Sequence, residues 1–153
     1  MFDRILVPID GSSTSSAGLD EAIRLAKLTG GTLRLVHILD ELAFTGGMEV
    51  YGSEVLKRLR EAGQKVLAEG ERVAKAAGMR VETKLFESYG DPLADLVAKE
   101  AVDWPADLIV IGTHGRRGLR RAVLGSDAEQ IARHATVPVL LLRPRGGSGA
   151  AAS

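Results

Sequence analysis

The sequence predicts an α/β fold, a single doubly wound sandwich in which helices cover both faces of a five-stranded parallel sheet. Two observations carry this. Short β-rich runs alternate with stretches of helical apolar spacing, in the order β-α-β-α-β-α-β-α-β. The first run, from Arg4 to Ile9, is almost continuously apolar, as expected of a strand buried on both faces. Strands joined by helices need crossover connections, so neighbouring strands run parallel.

Each element has its own signal. Ser12 to Ser16 is a cluster of hydroxyls suited to capping a helix. Leu19, Ala22, Ile23 and Ala26 then fall on one helical face, and Gly30-Gly31 ends it. Residues 32–39 form the second strand. Residues 40–52 read as irregular, with Gly46-Gly47 in the middle. A long helical pattern from about Ser53 to Ala77 carries Leu56, Leu59, Gly63, Val66, Gly70, Val73 and Ala77 as its stripe, and Gly78 stops it. Residues 80–86 alternate as a third strand. Gly90-Asp91-Pro92 reads as a helix start, with Asp91 as N-cap and Pro92 at the first helical position. Leu93, Leu96, Val97 and Ala101 supply that helix's buried face. Trp104-Pro105 lies in a loop at the amino end of the fourth strand, residues 107–111, and reads as a partly exposed packing residue. A short helix over 126–135 places Ala128, Ile131, Ala132 and Ala135 on one side, and residues 137–142 form the fifth strand. Residues 1–144 make one domain without internal repeat, and the Gly/Ala/Ser segment 145–153 is expected to be disordered.

Composition excludes several chemistries. The 153 residues are 45% hydrophobic and 26% charged, enough for a core without metals or cross-links. The absence of cysteine removes disulfides, thiolate metal sites and Cys nucleophiles. Lys+Arg and Asp+Glu balance at 20 each, so no net charge draws the chain to nucleic acid or an anionic membrane. Aromatics at 4% argue against base-stacking surfaces. No apolar run is long enough for a membrane span or a signal-peptide core, so a cytoplasmic protein is expected.

In an open doubly wound sheet, ligands bind outside the carboxyl ends of the strands. Three such ends stand out: Val7-Pro8-Ile9-Asp10-Gly11, His37-Ile38-Leu39-Asp40 and Ile111-Gly112-Thr113-His114-Gly115. The last leads through residues 116–124 to Gly125-Ser126 at a helix N-terminus, where free N–H groups and the helix dipole favour an anion. These residues suggest a phosphate-binding loop, although a glycine after a strand is often only a turn and a serine before a helix only a cap. Arg116, Arg117, Arg120 and Arg121 suit either a solvated loop or phosphate counter-charges. There is no Gly-x4-Gly-Lys-Ser/Thr and no Gly-x-Gly-x2-Gly after the first strand, which argues against P-loop and dinucleotide sites. No serine has the Gly-x-Ser-x-Gly setting of a hydrolase, and His37, His114 and His134 have no metal-ligand spacing.

Gly112-x2-Gly115-x9-Gly125-Ser126 resembles the ATP-binding signature of universal stress proteins. The resemblance extends to Arg4-Ile-Leu-Val-Pro-Ile-Asp10, Leu35-Val-His-Ile-Leu-Asp40, Gly90-Asp91-Pro92, Ala106 to Gly115 and Val137-Pro-Val-Leu-Leu-Leu142, and so to about residues 2–144. It implies a sheet of order 3-2-1-4-5, as in the adenine nucleotide alpha hydrolase-like folds. It places Asp10 at the ribose or a bound metal, with Pro8 and Ile9 walling base and ribose. The backbone of Ile38 would meet adenine. Gly112, Gly115, Gly125 and Ser126 would hold ribose and phosphates, and Ile111 and His114 would line the site. ATP (or ADP or AMP), with Mg2+, is the implied cofactor. The implied assembly is a homodimer through residues 137–143, with a protein partner the sequence does not name. The expected role is a stress-response regulator or adaptor with at most slow ATP hydrolysis. The alternatives are a nucleotide-free interaction dimer and an ATP-hydrolysing or adenylating enzyme. Asp127 departs from the small apolar residue that many ATP-binding members carry there; it suits a helix's first turn but would repel a phosphate by about 1 kcal/mol if partly screened.

Overall fold

The computed structural model describes residues 1–42, 54–113 and 124–143. Its elements are β1 (Arg4–Pro8), α1 (Ser13–Thr29), β2 (Thr32–Asp40), α2 (Glu54–Ala76), β3 (Arg80–Ser88), α3 (Leu93–Asp103), β4 (Leu108–Gly112), α4 (Ser126–His134) and β5 (Val139–Leu142). The strands form one sheet of order β3-β2-β1-β4-β5, parallel at every pairing. The expected segment 145–153 lies outside the described residues.

The two sides of the sheet bury separate apolar clusters. Ile5, Val7, Leu33, Leu35 and Val110 pack beneath α1 and α2, meeting Leu19, Ala22, Ile23, Ala26, Leu67 and Ala74. Leu6, Val36, Ile109 and Ile111 pack beneath α3 and α4, meeting Ala94, Val97, Ala101, Ala128 and Ile131. The two central strands are therefore buried on successive residues, Ile5 to Val7 in β1 and Leu108 to Ile111 in β4, as a sheet covered on both faces requires.

Local signals explain most boundaries. The Ser12 side chain accepts from the Ser15 amide and caps α1, and Gly30 closes it at φ 74. The α2 stripe buries Gly63 and Gly70 as expected and adds Leu67 and Ala74, while Leu56, Leu59, Val66, Val73 and Ala77 flank them half-buried. The glycines set this. A Cβ on Gly70 would stand 2.9 Å from both Ile9 Cδ1 and Leu35 Cδ1, and one on Gly63 2.9 Å from His37 Cδ2. Two glycines spaced two turns apart thus let α2 lie directly on the sheet, offsetting the roughly 1 kcal/mol that each costs a helix.

Four expectations are corrected. Asp91 is not the N-cap of α3; Pro92 holds that position and the helix begins at Leu93. Asp91 folds back instead, its amide donating to Ser88 Oγ at 3.0 Å and its carboxylate accepting from it at 3.3 Å. In α4, Ala132 is exposed, outside the buried pair Ala128 and Ile131. β5 begins at Val139, two residues later than expected, because Pro138 has no N–H and contributes only its carbonyl, to the Ile109 amide. Trp104 is buried, at 6% exposure, as part of the apolar cluster under α3 and α4, with two guanidinium groups against its ring, Arg34 at 4.8 Å and Arg4 at 5.6 Å from the centroid.

Arg34 also belongs to a charged cluster on β2, β3 and α3, while Arg4 donates to the Trp104 carbonyl. Glu100, on α3, is 1% exposed and accepts from Arg34 Nη1 and Lys84 Nζ, each at 2.6 Å. Burial by itself would lower the Arg34 pKa, but hydrogen bonds and charge from Glu82 and Glu100 raise it above its ordinary value. One carboxylate thereby ties α3 to β2 and β3, at the end of the sheet opposite the candidate site.

Candidate functional site

β1 and β4 are central neighbours, but their pairing ends at Leu6↔Ile109. Beyond it the chain leaves β1 for α1 on one face and β4 for α4 on the other, as the two apolar clusters show. The strand order reverses here, and this is where a doubly wound sheet opens a crevice.

The β1 side is built by short-range polar bonds. Ile9 donates its amide to Val36 O at 2.8 Å. The Asp10 amide donates to Ser15 Oγ at 3.1 Å, and its Oδ1 accepts from the Ser12 amide at 2.8 Å. Gly11 makes the turn at φ 82. The first turn of α1 is built of hydroxyl residues and carries no acid; the nearest carboxylate is Asp10, bonded to the Ser12 amide just ahead of the helix.

The β4 side is anchored by Thr113. Its amide donates to Leu142 O at 2.8 Å and its carbonyl accepts from the Gly125 amide at 2.7 Å, which fixes the start of α4 against the ends of β4 and β5. Gly125 is the N-cap of α4 without a side-chain cap bond. Ser126 and Asp127 are exposed in the first turn, and Glu129 pairs with Arg133. Thr113 Oγ1 is buried and has no hydrogen-bond partner among the described residues. Sequence reasoning passed over Thr113, although its place inside the Gly-x2-Gly stretch was a usable signal.

Gly112 has a structural duty of its own. A Cβ there would stand 2.6 Å from Thr14 Cγ2 and 2.6 Å from Thr14 O. The missing side chain lets the first turn of α1 lie on the end of β4.

Of the predicted residues, Pro8, Ile9, Asp10, Ile111, Gly112, Gly125 and Ser126 thus fall at the carboxyl ends of β1 and β4, and Ile38 at the same end of the adjacent β2. His114, Gly115 and the four loop arginines lie outside the described residues. His37 is half-buried and its Nδ1 lies 2.7 Å from Ile9 O. His134 lies away from the site and pairs with Asp95 at 2.9 Å. Among the described residues no group of three or more His, Asp or Glu is arranged to hold a metal. Asp10 is the carboxylate on the β1 side that would face an ion brought in by a ligand, and a single protein carboxylate would hold a magnesium ion only together with ligand oxygens and water. Among the described residues no helix is long and apolar enough to cross a membrane.

Comparison with known proteins bears on this geometry. The universal stress protein family model matches residues 1–143. A universal stress protein of Methanocaldococcus jannaschii is 34% identical over 145 residues, covering 94% of this chain and 83% of its own. A hypothetical protein solved as a structural-genomics test of assigning function from structure superposes with a TM-score of 0.83 at 24% identity, covering 95% of this chain and 99% of its own, a likeness of fold. A universal stress protein solved in complex with cAMP superposes with a TM-score of 0.67 at 25% identity, covering 92% of this chain and 96% of its own. On the family match across nearly its whole described length, with the sheet order and switch point in agreement, this chain belongs to the universal stress protein family.

Proposed function

We propose that this chain binds an adenine nucleotide, ATP with Mg2+ in the first instance, across the carboxyl ends of β1 and β4, and acts as a stress-response regulator or adaptor. The observation that carries the reading is the meeting of two helix N-termini at one switch point. α1 carries no acid within its first turn and α4 starts at Gly125-Ser126 without a side-chain cap, so both helix N-termini face the place where an anion would sit, with Asp127 and Glu129 in the first turn of α4 offsetting part of that helix's pull. Pro8 at the end of β1 and Asp10 in the turn after it lie beside them, and the relative solved with cAMP supports an adenine ligand. Gly125 and Ser126 would hold phosphate, and Asp10 the ribose or the ion. His114 and Gly115 would complete the loop. Any hydrolysis is slow, because the one imidazole at the described site, His37, is bonded to the Ile9 carbonyl, Asp10 is bonded to the Ser12 amide, and Asp127 is exposed to solvent, where a carboxylate is a weak general base.

The same reading includes a homodimer. β5 is an edge strand of four half-buried residues, Val139–Leu142, whose outer backbone groups a second copy of the strand would pair.

The test is to purify the protein without added nucleotide, denature it, and identify released small molecules by mass spectrometry. Stoichiometric adenine nucleotide is expected, and Gly125→Val should lose it with the fold intact, since φ −57 and ψ 146 suit valine. An empty protein that also ignores added Mg-ATP would overturn the reading in favour of a nucleotide-free dimer and direct attention to Asp127.

A further inference from the structure

His37 sits where a backbone rung is missing. The β1–β2 ladder runs from Arg4↔Thr32 to Pro8↔Val36. Its bonds alternate: the Thr32 amide donates to Asp3 O, and the Ile9 amide donates to Val36 O. In a parallel ladder the next donor is the Ile38 amide, to Ile9 O. That rung is not formed among the described residues. The Ile9 carbonyl is instead met by His37 Nδ1 at 2.7 Å. A carbonyl only accepts, so Nδ1 carries the proton. The following rung, from Gly11 to Ile38 O, is lost as well because Gly11 turns the chain away at φ 82. The N–H and C=O of Ile38 both point to the β1 side, by the alternation of the ladder, and both are left without a strand partner.

A second observation is independent of that bond. α2 carries Gly63 directly over the imidazole, and a Cβ there would stand 2.9 Å from His37 Cδ2 and 3.4 Å from Nε2. Helix α2 is cut away where the ring must lie to reach Ile9.

We infer that His37 is a positioning residue: it takes the Ile9 carbonyl in place of the Ile38 amide, and so leaves a donor–acceptor pair on one residue free to read the edge of a purine. This rests on the nucleotide reading above and deepens it. Adenine offers an acceptor at N1 and a donor at its 6-amino group, which match an N–H and a C=O. Hypoxanthine offers the reverse, a donor at N1 and an acceptor at O6.

The test has two readouts. Amide exchange followed by NMR on the ligand-free protein should show Ile38 exchanging roughly 100-fold faster than Val36, as an amide outside the ladder does. In His37→Phe the rung should close and Ile38 should become protected, while His37→Asn, whose side-chain N–H reaches the same carbonyl, should keep it fast. In binding, wild type should prefer ATP to ITP, which differ only at the base edge. His37→Phe should lose that preference by about tenfold with ITP affinity unchanged, and His37→Asn should restore it. A general loss of structure would weaken both nucleotides alike. An Ile38 amide as protected as Val36 in wild type, or a ratio unchanged in His37→Phe, would overturn the inference. If wild type binds neither nucleotide, the parent reading fails and the exchange of Ile38 alone decides whether His37 frees the amide. Should His37→Phe fail to fold, Gly63→Ala, which pushes the ring off Ile9, should give the same loss of preference.

Discussion

Gly112→Ala separates two demands that a motif glycine meets at once. The added Cβ would lie 2.6 Å from both Cγ2 and O of Thr14, and 2.9 Å from its carbonyl carbon. Ordinary carbon contacts begin near 3.5 Å, so α1 must back away from β4 by roughly 1 Å. Gly18, one turn further along α1, faces the same strand end with its own absent Cβ 3.4 Å from the Gly112 amide nitrogen, so α1 lies close to β4 over more than one turn. Overpacking of this kind costs about 2 kcal/mol. In a chain of this size that lowers the melting temperature by roughly 4–8 °C. The assay is urea and thermal unfolding followed by the emission of Trp104, the one tryptophan, which is buried between two arginines. Adding Thr14→Ser should recover only part of the loss. It removes Cγ2, but the Thr14 carbonyl stays at 2.6 Å. A Gly112→Ala protein that unfolds within a degree of wild type would refute this reasoning, and would leave close approach of a ligand as the reason for the glycine.

Three further outcomes are expected. Glu100→Ala should cost about 3 kcal/mol in urea unfolding, near the low end for breaking a buried pair, because Lys84 is 44% exposed and Arg34 retains Glu82; a loss under about 0.5 kcal/mol, the scale of an ordinary surface change, would show the cluster to be incidental. Size exclusion should give a mass near twice the 16.2 kDa of one chain, and Leu141→Pro should return it to the monomer, since residues 138, 140 and 142 face β4 and the Leu141 N–H faces outward. The hydrogen bond and charge of Lys99 hold the exposed Asp103 carboxyl below its usual value, so its small contribution is present above about pH 4 and fades as pH falls through the lowered folded value; the stability difference between wild type and Asp103→Asn should therefore shrink in acid and in high salt, and a difference that grows in acid would contradict the pairing.

The alternation of elements was legible because each carries a strong local period, and the caps of α1 were legible because Ser12 and Gly30 act within one turn. The switch point was legible for a similar reason: Asp10-Gly11 and Gly125-Ser126 announce turns in their own sequence. What escaped were contacts between segments far apart in the chain. The burial of Trp104 depends on Leu6 and Val36 in its apolar cluster and on Arg4 and Arg34, 100 and 70 residues away, against its ring, and nothing near Trp104 announces them. The register of the α2 stripe depends on Ile9, Leu35 and His37 filling the notches at Gly63 and Gly70. Asp91 looked like a cap because its neighbour is proline, but Ser88, three residues earlier, captured it first.

The glycines of this fold therefore divide by what fills the space they leave. At Gly70 it is the side chains of Ile9 and Leu35, at Gly63 it is His37, and at Gly112 it is the first turn of α1. All three converge on the Asp10 turn: Ile9 precedes it, His37 bonds to Ile9, and Thr14 follows it in α1. The turn is thus held by close backbone approach from α2, β2 and β4 rather than by its own hydrogen bonds alone. A substitution at any of the three would displace the same loop from a different side. Ligand affinity should then fall together with stability for Gly63, Gly70 and Gly112, whereas Gly125, whose backbone is extended, should lose affinity with stability kept. That contrast, measured across four alanine or valine variants in one unfolding and binding series, distinguishes glycines that shape the frame from a glycine that meets the ligand.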